Sequence, residues 1–92
     1  MSKKKLDPKK PRGKWVVVMH NDNHNTFEHV VDCIMDICGY SYLQAVQISI
    51  IVDRAGLCDV MEDNYDTCVA VHRELLRQGL KVMIEKYAKP TN

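Results

Sequence analysis

The sequence predicts an α+β domain in the order β-α-α-β-α-β, a sandwich of three helices packed on a small three-stranded sheet. Two observations carry that expectation. Strand-like apolar runs stand near the two ends of the chain, at residues 15–19 and 80–85. Between them lie three segments with apolar residues at helical spacing, each opened by a capping signal and closed by a glycine.

Trp15 to Met19 is a strand because its β-branched run stops abruptly at small polar residues. Asn25, with Glu28 three positions later, gives a capping-box pattern for the first helix. Phe27, Val30, Val31, Ile34, Ile37 and Cys38 repeat on one face of it, and Gly39 supplies the stop. Ser41 with Gln44 repeats the capping signal for a second helix through Ala45, Ile48, Ile51 and Val52, closed near Gly56. Leu57 to Met61 is short, either a strand or an extended loop. Asp63 or Asn64 caps a third helix, whose stripe is Tyr65, Cys68, Val69, His72, Leu75 and Leu76, ended by Gly79. Leu80, Val82 and Ile84 then alternate with Lys81, Met83 and Glu85, the pattern of a strand with one side on a core.

Composition narrows the function. With 92 residues and 46% apolar side chains, the chain is expected to form one domain at 15–88 behind a flexible basic extension at 1–14. Seven of the thirteen basic residues and only one acid fall in that extension, so it carries +6 and the rest carries −5. An acidic body repels a phosphate backbone, which argues against nucleic acid. No apolar run approaches the ~20 residues of a membrane span, and the basic start lacks the apolar segment of a signal peptide. The expected location is therefore the cytoplasm. Cys33, Cys38, Cys58 and Cys68 show no zinc-ligand spacing and are expected to be reduced, small core residues.

The richest stretch is the turn between the first strand and helix. Asn21, Asp22 and Asn23 lie beside the apolar first turn of that helix. Carboxylate and amide oxygens next to an apolar hollow suit an ammonium group that carries a hydrophobic side chain. The first residue of another polypeptide has that chemistry. His20, Asp22, His24 and Glu28 also crowd together, but in no known metal-binding spacing, so no metal is expected. Nothing resembles a nucleophile elbow, a P-loop or a dinucleotide fingerprint, so neither catalysis nor a cofactor is expected.

From Trp15 to Glu85 the chain resembles the ClpS family of adaptors for Clp-type AAA+ proteases. The segment Asn21-Asp22-Asn23-His24-Asn25-Thr26-Phe27-Glu28 resembles the family's N-D-D-Y-T-P-M-E turn, and Val52-Asp53-Arg54-Ala55-Gly56 its V-H-x-x-G. Asp32, Gln44, Ala45 and the stretch from Val71-His72 to Gly79 continue the match. The resemblance implies the fold already read, one related to the C-terminal domain of ribosomal protein L7/L12. It implies a non-enzymatic adaptor that binds proteins with bulky hydrophobic N-terminal residues, the N-degrons of the N-end rule. The adaptor would deliver them to the N-terminal domain of a ClpA- or ClpC-type AAA+ unfoldase. On that resemblance Asn21, Asp22 and Asp53 hold the α-amino group, while Asn23, Asn25, Phe27, Val30, Ser49 and Val52 shape the side-chain pocket.

Three departures mark this chain. Asp53 stands at the family's His, placing a second carboxylate by the amine, and two such groups without a ligand are expected to raise at least one pKa. Phe27 and Ser49 replace pocket Met residues. Tyr65-Asp66-Thr67 stands where the family carries a Glu-Thr-Lys docking patch. The alternative function is a ClpS-fold interaction module that has lost N-degron recognition.

Overall fold

A computed structural model describes residues 13–88, so most of the basic extension lies outside the described residues. The elements are β1 (Trp15–His20), α1 (Phe27–Cys38), α2 (Tyr42–Ala55), β2 (Leu57–Asp63), α3 (Tyr65–Arg77) and β3 (Lys81–Lys86). The β-α-α-β-α-β order matches the expectation, and the short segment after Gly56 is a strand.

The sheet runs β2-β1-β3, with both pairings antiparallel. Central position explains why β1 is apolar without alternation: Val16 to Met19 are all 5% exposed or less. Met61 stands opposite Val17 and Asp59 opposite Val18, so Val60 is the extra residue of a bulge. It is fully buried. Val17, Met19, Val60 and Val82 from the sheet join Val31, Ile34, Ala45, Val52 and Leu75 from the helices in one core. At the far end, Trp15 meets Tyr65 edge-on, with ring centroids 4.9 Å apart.

Several local expectations need correcting. Thr26, not Asn25, caps α1: its hydroxyl accepts the His29 N–H at 3.1 Å. Asn25 is occupied elsewhere, as described below, so its capping box with Glu28 does not form. The Ser41–Gln44 box does form, with both reciprocal bonds made, at 3.0 and 3.2 Å. Asn64 caps α3.

Three stripe assignments also move. Phe27 is 43% exposed, and Cys33 is buried on α1. On α2 the buried face is Ala45, Ser49 and Val52, while Ile51 faces solvent at 45% exposure. On α3, Val71 is buried and Leu76 is exposed. In each case the helix phase is set by the face that meets the core, and an extra apolar residue beside that face is left outside. Of the cysteines, Cys33 and Cys68 are buried, Cys38 and Cys58 are half-buried, and all four are free thiols.

Candidate binding site

Three chain junctions meet at one end of the sheet. The β1–α1 turn starts at Asn21, whose backbone N–H donates to the Gly56 carbonyl at 2.9 Å. Gly56 closes α2 at φ 93°, a left-handed conformation that a side chain would resist. That bond ties the end of α2 to the turn.

A second tie reaches the α3–β3 junction. The Asn25 Nδ2 donates to Asp22 Oδ1 at 3.1 Å, to Asp22 Oδ2 at 3.0 Å, and to the Gly79 carbonyl at 3.0 Å. Asp22 Oδ1 also accepts the backbone N–H groups of His24 at 2.8 Å and Asn25 at 3.1 Å. The turn thus folds around one carboxylate, the habit of an aspartate that bonds the backbone just ahead of it.

Between these junctions lies a hollow of about 100 Å³. Its inner wall is built from Met19, Ser49, Val52 and Leu80, each exposed by 4% or less. Phe27 and the half-buried Val30 stand along its α1 side. Polar groups of Asn21, Asp22, Asn25 and Asp53 edge the opening. The hollow therefore combines an apolar interior with an edge that carries two carboxylates.

Burial is the largest single influence on Asp22 and pushes its carboxyl up. The His24 N–H, the Asn25 side chain and N–H, and the His24 charge together more than offset it, so the group lies below its ordinary value near 3.8. The expected elevation from a neighbouring carboxylate is not what Asp22 shows. Its donors are local and short-ranged, whereas Asp53 is exposed to water that screens it. Oδ1 is saturated by three donors, while Oδ2 accepts only Asn25 and keeps room for another.

Of the residues expected at the site, Asn21, Asp22, Asn25, Phe27, Val30, Ser49, Val52 and Asp53 all line the hollow. Asn23 does not; it sits exposed on the outside of the turn. Met19, His20 and Leu80 were not foreseen. Leu80 arrives there because β3 pairs with β1, with Lys81 opposite His20, a register invisible in a single sequence. The His20 Nε2 is buried without a hydrogen-bond partner. Among the described residues, no three His, Cys, Asp or Glu side chains are grouped to hold a metal. No helix among them is long and apolar enough to cross a membrane.

The family model of the ATP-dependent Clp protease adaptor protein ClpS matches residues 10–83. No curated protein matches the chain. Eighteen solved chains do, among them Agrobacterium tumefaciens ClpS2 bound to L-phenylalaninamide. That structure superposes with a TM-score of 0.77 at 18% identity, covering 80% of this chain and 96% of the other.

Proposed function

The chain belongs to the ClpS family of ATP-dependent Clp protease adaptor proteins, and we propose that its hollow receives the first residue of a substrate bound for degradation. The observation that carries this is an edge with two carboxylates, Asp22 and Asp53, above a largely apolar interior. Asp22 Oδ2, the Asn21 side-chain oxygen and the Asp53 carboxylate would accept from the α-ammonium group. The bulky side chain would descend among Phe27, Val30 and Val52. Such charge-assisted bonds are the stronger kind, and an internal peptide bond cannot supply the donors. The same combination of an amine and an aromatic side chain is present in the L-phenylalaninamide bound to the Agrobacterium relative.

No nucleophile or base is asked to act. The protein would hold its substrate and hand it, in the cytoplasm, to the N-terminal domain of a ClpA- or ClpC-type AAA+ unfoldase. The basic extension at 1–14 would engage that machine, and Asp53 would take the place of the family's His.

Fluorescence anisotropy tests the amine site directly. Peptides beginning with Phe, Leu, Trp, Tyr or Met should bind when their amine is free and lose binding when it is acetylated. Affinity should be flat from pH 5.5 to 7 and fall above about pH 8, as the amine loses its proton. Equal binding of free and acetylated peptides would sink amine recognition. Absence of binding to all of them would favour the alternative, a ClpS-fold interaction module without N-degron recognition.

A further inference from the structure

We propose that Ser49 biases the hollow toward an N-terminal tyrosine over phenylalanine, an inference that rests on the amine-binding role proposed above. Among the described residues, Ser49 is the single buried polar side chain, 3% exposed. It lies in the wall of the hollow among Met19, Val52 and Leu80, none of which offers a strong polar partner.

The direction of its hydroxyl decides what it can recognise. Ser49 Oγ donates its one proton to the Ala45 carbonyl at 2.8 Å. Only lone pairs remain, so Ser49 can serve a ligand as an acceptor and not as a donor. A side chain ending in O–H satisfies it; one ending in C–H leaves those lone pairs dry.

Position along α2 supplies the second condition. Ser49 precedes Asp53 by four residues, so the two stand on one face of α2, about 6 Å apart along its axis. With the ammonium held at Asp53 and Asp22, a side chain following that face reaches Ser49 at its tip. A separation of that order is within the reach of a tyrosine hydroxyl and beyond that of a leucine methyl. The volume of about 100 Å³ is of the order of the ~150 Å³ cavity known to accept benzene. One ring is therefore favoured over the two rings of tryptophan.

The test compares peptides that differ only in the first residue: tyrosine, phenylalanine, or 4-methylphenylalanine, which keeps tyrosine's length without its donor. Tyrosine should bind about three- to tenfold tighter than phenylalanine, the worth of one neutral hydrogen bond, and tighter again than the methyl analogue. Ser49→Ala should abolish the preference, bringing tyrosine level with phenylalanine or below it, because the buried tyrosine hydroxyl then lacks an acceptor. That variant should fold, because the Ala45 carbonyl keeps its helical N–H partner. Wild-type protein that binds phenylalanine as well as tyrosine, or a tyrosine preference that survives Ser49→Ala, would overturn the role of Ser49 alone. If no free peptide binds, or acetylation changes nothing, the amine site falls and this selectivity falls with it.

Discussion

Replacing Asn25 with alanine removes one amide group that serves two segments of the chain. Its Nδ2 has two protons: one is shared across the Asp22 carboxylate at 3.0 and 3.1 Å, and the other reaches the Gly79 carbonyl at 3.0 Å. A bond to a charged partner contributes about 1.5–3 kcal/mol and a neutral one about 0.5–1.5 kcal/mol. Asn25 is only part-buried, so water recovers some of both. A net loss of about 2 kcal/mol is expected, which lowers the melting temperature of a domain this size by roughly 8–16 °C. Urea unfolding followed by Trp15 fluorescence would measure it. The pH dependence supplies a signature. Asp22 titrates below its ordinary value near 3.8, so its contribution is complete above that pH and disappears as pH falls through the depressed folded value. The gap between wild type and variant should hold from pH 7 to about 4 and narrow below. A variant within about 0.5 kcal/mol of wild type at pH 7 would refute the role given to Asn25. So would a gap that does not narrow in acid.

Other expectations concern separate parts of the molecule. Asp53→Asn should weaken binding of a free amine about two- to fivefold, because an exposed charge is screened, and should leave the melting temperature unchanged. Asp22→Asn should lose both affinity and stability, since its oxygens also organise the turn; equal stability losses in the two variants would contradict this division. Burial, followed by the nearby Cys33, pushes the Cys38 thiol up to about 11, and burial also raises the thiol of Cys33. Both should react slowly with a disulfide reagent at pH 8 in the folded protein and promptly once it is unfolded; rapid labelling under native conditions would contradict their inert placement. Ser41→Ala breaks the reciprocal cap of α2 and should cost about 1 kcal/mol by thermal unfolding. A neutral result would mean that the helix start is held by packing alone.

The order of elements was legible because caps and glycines punctuate this chain regularly. Gly39, Gly56 and the Ser41–Gln44 box do locally what their residue types suggest. Asn25 illustrates where local rules stop. As a helix cap it is a sound choice, but Asp22 three residues earlier and Gly79 across the fold compete for its amide, and Thr26 caps instead. Ser49 illustrates the converse. Apolar periodicity passes over a serine, yet Ala45, Ser49 and Val52 form the inward face of α2, leaving Ile51 outside. Asn21, Asp22 and Asn25 stood out because they cluster in sequence. Leu80 did not, because strand pairing alone brings it there.

The hollow has no existence in any single stretch of the chain. Its edge and walls come from the end of β1 and the turn after it, the first turn of α1, the last turns of α2 and Leu80 just before β3, drawn together by the Asn21–Gly56 and Asn25–Gly79 bonds. A peptide spanning residues 20–30 would therefore carry the most recognisable residues and none of the affinity. Under the binding proposed above, occupancy and folding become one coupled equilibrium: a ligand at a hundred times its dissociation constant would add about 2.7 kcal/mol of stability. A cell depleted of ligand would then hold a less durable form of this protein than one supplied with it, so its abundance could itself follow the supply of ligand.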